Sequence, residues 1–232
     1  MRYGICQLLF VLAWLWSFSS PAAEPIDPVV GALNVSLAKN LLHAREYLDQ
    51  KDAKSLAQAA GNVQLLAELL KSRSDDSSWQ ESIGKVVAAA GGVQAAAKTE
   101  DIGKCKAAAD ALEAACAASG LAKPAGKPQP MAKSPALRPL MLSMDAIFAD
   151  AKVSLISGNV DAAKKQALVV AELGKLVSNQ RTTPDWLSLA GDFCAAANAA
   201  ANSTETDPKA VRQLIRGVAE RCEACHEKSR TR

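Results

Sequence analysis

The sequence predicts an all-α protein made of two tandem antiparallel four-helix bundles. Three observations carry that expectation. Apolar residues recur at helical spacing and show no alternating runs of the kind a half-buried strand requires. Alanine, the strongest helix former, dominates the chain, and aromatic residues make up only 4% of it. The two halves also repeat one another across a proline-rich break.

The first element is an export signal. Arg2 supplies a positive start, Ile5 to Phe18 form an apolar stretch, and Ser19-Ser20-Pro21-Ala22-Ala23 offer small residues for cleavage. Residues 1–23 are therefore expected to leave, with Cys6 inside them, and the protein to be periplasmic. The apolar stretch is short for a membrane span, although an uncleaved anchor is the competing reading, and no later segment is apolar enough to span a membrane. About 210 residues remain, enough for one large or two ordinary domains. With 27 basic and 24 acidic residues the net charge is +3, which is no nucleic-acid footprint.

Residues 24–121 are expected to form the first bundle. Val30, Leu33, Leu37, Leu41, Ala44 and Leu48 mark one face of its first helix. His43 lies beside that face and reads as a surface residue. Gln50-Lys51-Asp52-Ala53-Lys54-Ser55 opens a second helix, Ser77-Ser78-Trp79-Gln80 a third, and Ile102, Cys105, Leu112 and Cys116 mark a fourth. Cys105 and Cys116 are separated along one helix by roughly 16 Å, too far for a disulfide with each other.

Residues 122–138 read as an exposed, stiff linker: Pro124, Pro128, Pro130 and Pro135 interrupt any helix, and Lys123, Lys127, Lys133 and Arg138 bring charge without an acid. Residues 139–232 form the second bundle. Pro139 suits a helix start, and Leu140, Met144, Ile147, Ala151 and Leu155 follow at helical spacing up to about Ile156. Gly158 allows the turn into Asn159-Val160-Asp161-Ala162-Ala163-Lys164. Val160, Ala163, Ala167, Val170, Gly174 and Val177 then form a seam of mostly small residues. A third helix starts after Pro184 and holds Phe193 and Cys194, the latter reading as a small hydrophobe. Asp207-Pro208 opens the fourth, with Val211, Leu214, Val218 and Cys222 on its apolar face, ending near Cys225-His226.

The repeat is legible residue by residue. Trp186 precedes Cys222 by 36 positions, and Trp79 precedes Cys116 by 37. Where the second half reads Cys222-Glu223-Ala224-Cys225-His226, the first reads Cys116-Ala117-Ala118-Ser119-Gly120.

Cys-x-x-Cys-His is the attachment signature of a c-type haem. Two thiols add to the vinyl groups of a porphyrin as thioethers, and the adjacent imidazole is held under the iron. A zinc site would need two further ligands, and His43 is the only other histidine. A thioredoxin-like dithiol would sit beside a strand–helix–strand pattern, which this chain lacks. The sequence thus assigns one covalent haem c to Cys222 and Cys225, with His226 as its iron ligand. The first half, with Gly120 in place of the histidine, should carry none.

A four-helix bundle with this motif near the end of its last helix resembles the class II c-type cytochromes, cytochrome c′ and its low-spin relatives. The resemblance covers the second half and, as a degenerate copy, the first. It implies that Arg230, four residues after His226, is a candidate contact to the haem edge. It also implies a distal position on the first helix of the bundle, occupied by methionine in low-spin members and by an apolar residue in five-coordinate ones. Met144 is the first candidate there and Met141 the second, with their counterparts in the first half placed near Ala32 and Val35.

Two functions follow as expectations: an electron carrier meeting redox partner proteins, or a five-coordinate protein binding nitric oxide or carbon monoxide. No nucleophile stands beside a base, so an enzyme is not expected, and a homodimer is compatible with the chain. The distal residue decides between the two readings.

Overall fold

The computed structural model describes residues 27–121, 127–131 and 134–230. The expected signal segment, residues 1–23, lies outside these, as do part of the linker and the side chain of Arg230. The described residues form helices α1 (Pro28–Asp49), α2 (Ala53–Lys71), α3 (Ser77–Ala97), α4 (Ile102–Ser119), α5 (Leu137–Ile156), α6 (Val160–Ser178), α7 (Pro184–Ala201) and α8 (Pro208–Arg230), with no strand among them. Within α1–α4 and within α5–α8, consecutive helices pack against each other. Contacts of α1 with α4 and of α5 with α8 close two bundles.

Capping explains why the helices begin where they do. Asp27, Asp52, Asp76 and Asp101 each accept a hydrogen bond from an amide in the first turn of the helix that follows, satisfying donors that have no partner inside the helix. Asn159 does the same for α6, and Asp207 accepts from the amides of Lys209 and Ala210. α5 has no side-chain cap and starts at Leu137, two residues before Pro139, which falls in the first turn where its missing N–H is harmless. The linker is accordingly shorter than the sequence suggests. It is also tied down. Gln129 N donates to Ser72 O at 2.7 Å, Lys127 N to Asp75 Oδ1 at 3.2 Å, and Gln180 Nε2 to Pro135 O at 3.0 Å.

The repeat extends to backbone detail. Trp79 Nε1 donates to Leu70 O at 3.3 Å, and Trp186 Nε1 donates to Val177 O at 3.0 Å, each bond spanning nine residues. Lys51 and Gly158 occupy equivalent turns, and both have positive φ, 58° and 77°. Only glycine adopts this without steric cost, so the first half is strained where the second is not.

The bundles meet through their first two helices, α1 on α6 and α2 on α5. His43 lies in this contact rather than on the free surface. Its Nε2 is 2.9 Å from Asp150 Oδ1 on α5. Beside it, a buried chain crosses between the repeats: Ser143 Oγ donates to Asn62 Oδ1 at 2.8 Å, and Asn62 Nδ2 donates to Asn40 Oδ1 at 2.8 Å. Arg73 donates to Glu172 across the same face. Burial pushes the Glu172 carboxyl up, but Lys175 and Arg73 outweigh it and hold the group below its ordinary value.

Candidate functional site

α8 continues through the Cys-x-x-Cys-His motif to Arg230 rather than ending there. The helix therefore lays Cys222, Cys225 and His226 along about one turn. Their surroundings come from the three other helices of the bundle. Met141 and Met144 from α5, Gly174 and Val177 from α6, and Leu189, Ala190 and Phe193 from α7 line one recess with the two cysteines and the histidine. The structure thus brings together every residue expected at the iron and both candidate distal methionines. Met144 is buried and Met141 half-buried.

The wall is apolar and partly made of small residues. Gly174 is required here: a Cβ on it would stand 2.8 Å from Cys194 Sγ and 2.9 Å from Phe193 Cε1. Cys194 therefore packs against α6, as expected of a small hydrophobe. Leu189, Ala190 and Phe193 belong to the i, i+3, i+4, i+7 series that starts at Trp186, the signal in the sequence that places them on this wall.

Both motif cysteines are free thiols and half-buried. Burial pushes the Cys222 thiol up to about 11, and burial also raises Cys225 while the cation of Arg181 opposes the rise. Among the described residues no three histidine, cysteine or carboxylate side chains converge as a cage for a bare metal ion. Two thiols, an imidazole and thioethers on an apolar wall are instead the donor set of a group with an apolar body, two addition points and axial iron sites. The donors fit a c-type haem chemically. The recess itself measures about 30 Å³, close to one water, so a macrocycle would need the helices around it to part. The end of α8 suits that movement: Cys222, Ala224 and Cys225 are only half-buried, and residues 226–228 are exposed.

The first bundle is closed at the corresponding place. Cys116 is 2% exposed, and burial pushes its thiol up to about 12. Gly120 caps α4 with φ 67°, ending the helix where α8 carries on. The chain then turns Leu121 into the core, and Asn34 Nδ2 donates to Leu121 O at 3.2 Å. The separation shared by the tryptophans aligns Met144 with Leu37 and Met141 with Asn34, not with Ala32 and Val35. Leu37 and Leu121 both belong to the buried core.

A second, shallower recess adjoins the first and shares Leu189 and Cys225 with it. Its other lining residues are Arg181, Thr183, Asp185, Trp186 and Lys228. No helix among the described residues is long and apolar enough to cross a membrane. No family model, no curated protein and no solved structure matches this chain.

Proposed function

We propose that the second bundle is a c-type haem domain of the class II cytochrome kind, and that the exported protein carries single electrons between redox partners. The observation that supports this most strongly is the convergence of Cys222, Cys225, His226, Met141 and Met144 on one apolar recess, while the equivalent recess of the sister bundle is plugged. Such a group would supply an iron centre with ferrous and ferric states.

The chain's residues supply the rest. Cys222 and Cys225 would hold the group covalently, as thioethers to its two vinyl positions. His226 would supply a ring nitrogen to the iron. Met144, on the facing helix, would offer a soft thioether, a ligand that favours the ferrous state and raises the potential. Phe193, Leu189 and Val177 exclude water, and the repeat without the motif buttresses the bundle through α1 and α2.

Expression in a host competent for haem attachment tests the reading. One haem per chain should remain after denaturation, on the peptide that holds Cys222 and Cys225, and the reduced protein should have a low-spin spectrum. A chain that takes up no haem overturns the proposal. A high-spin ferrous protein that binds carbon monoxide rapidly would transfer the function to gas binding.

A further inference from the structure

The guanidinium of Arg181 lies over the ring of Trp186, 4.8 Å from its centroid. Trp186 is itself fixed: 8% exposed, with its Nε1 bonded to Val177 O, a residue of the deep recess. A cation on an aromatic face is attracted by the ring quadrupole and loses much of its freedom. Arg181 is thus held, on a rigid platform, at the rim of the shallow recess that shares Leu189 and Cys225 with the deep one. The two recesses adjoin at Leu189 and Cys225: the deep one is lined mostly by apolar residues, and Arg181 and Lys228 line the shallow one, with Asp185 as the acid among them.

The sister repeat shows what the same fold does without this rim. The position equivalent to Arg181 is Ser74, fully buried, whose Oγ accepts from Asp76 N and whose carbonyl accepts from Gln80 Nε2. The position equivalent to Thr183 is Asp76, a carboxylate that caps α3. In the repeat with the Cys-x-x-Cys-His motif the acid is replaced by Thr183, which makes no side-chain cap, and the buried serine by an exposed arginine. Both changes make the rim more favourable to an anion. They give up a stabilising helix cap.

We propose that Arg181, seated on Trp186, binds a carboxylate of the ligand that fills the deep recess; on the reading given under Proposed function, this is a propionate of the haem. An apolar macrocycle with carboxylate arms matches an apolar recess with cations beside it, and guanidinium–carboxylate pairs are the stronger class of hydrogen bond.

The test uses the full-length, haem-loaded chain. Arg181→Gln removes the charge from an exposed side chain. It should lower the reduction potential, because an uncompensated carboxylate near the iron favours the ferric state. Arg181→Lys should restore most of the shift, and the shift should shrink in high salt. Arg216→Gln removes the same charge from a side chain paired with Glu220 on α8 and should leave the potential unchanged. A potential unaltered by Arg181→Gln, or altered equally by Arg216→Gln, overturns the assignment while the haem reading stands. A wild-type chain that takes up no haem overturns both.

Discussion

His43 and Asp150 sit at equivalent positions of the two repeats, 107 residues apart, and face each other at 2.9 Å. Equivalent residues meet in this way only near an approximate two-fold axis, so the bundles pack as two copies of one protein would. The sequence has broken the symmetry in favour of a charge pair: a histidine in one copy, a carboxylate in the other. Ser36 and Ser143 are likewise equivalent positions with different partners. Ser143 reaches Asn62, but the counterpart of Asn62 is Val169, and the buried Ser36 Oγ has no hydrogen-bond partner among the described residues.

The interface should be pH-sensitive through His43. Its hydrogen bond to Asp150 holds the imidazole above its ordinary value of 6.5; burial opposes this, Glu46 adds to it, and Lys39 opposes it. Asp150 from α5, with Glu46, Lys39 and the stacked ring of Tyr47 from α1, are the groups around it. A raised value means the stabilisation is complete below 6.5 and is lost as pH rises through the folded-state value. Melting temperature should fall over that window by more in the wild type than in His43→Gln. The contribution is about 1 kcal/mol, discounted for the partial exposure of the ring. Parallel pH profiles of the two proteins would refute it.

Asn62→Leu should cost about 1–3 kcal/mol, because it strands the buried Asn40 Oδ1 and the Ser143 hydroxyl on either side of it. Denaturant unfolding measures this. A neutral result would mean that the crossing chain contributes nothing.

Trp79→Phe and Trp186→Phe remove the same hydrogen bond from the two repeats. Each should cost about 1–3 kcal/mol from the lost bond and the lost volume. Only Trp186→Phe should alter the absorption spectrum of the loaded protein, because Val177, its partner, lines the recess. Equal spectral effects from both would contradict the assignment of the site to the second repeat.

Gly174→Ala places a methyl group against Cys194 and Phe193. The overpacking should cost about 1–3 kcal/mol and outweigh the roughly 1 kcal/mol that alanine gains in a helix. The equivalent residue of the first bundle is already Ala67, and Ala67→Gly should also destabilise, by about 1 kcal/mol. Thermal melts of the pair distinguish a close helix approach from a simple propensity effect.

If the second bundle carries haem as proposed, Met144→Ala should turn a low-spin protein into one that binds carbon monoxide rapidly and has a lower potential. Met141→Ala, at the half-buried position, should cost packing alone. Flash photolysis and redox titration separate the two. Gas binding opened by Met141→Ala instead would move the axial contact one turn along α5.

Much of this protein follows from sequence alone. Helical spacing, aspartates and asparagine at the caps and the repeated tryptophan mark the eight helices of the described residues as two sets of four, since these signals are local: a cap and its amides lie within three residues. The Cys-x-x-Cys-His motif is equally local, one turn of a single helix. The tertiary structure decided which residues meet between elements. His43 lies off the apolar face of its own helix and reads as a surface residue, yet the second bundle covers it, because burial depends on what packs against a helix. The spacing of the tryptophans already aligns Leu37 and Asn34 with the methionines, and the equivalent carbonyls those tryptophans bond to agree with that register. Arg181 had no signal in the chain, since its place beside Cys225 comes from the packing of α7 against α8. The closure of the first site likewise rests on Leu121 turning inward after Gly120, a consequence of left-handed backbone and available space.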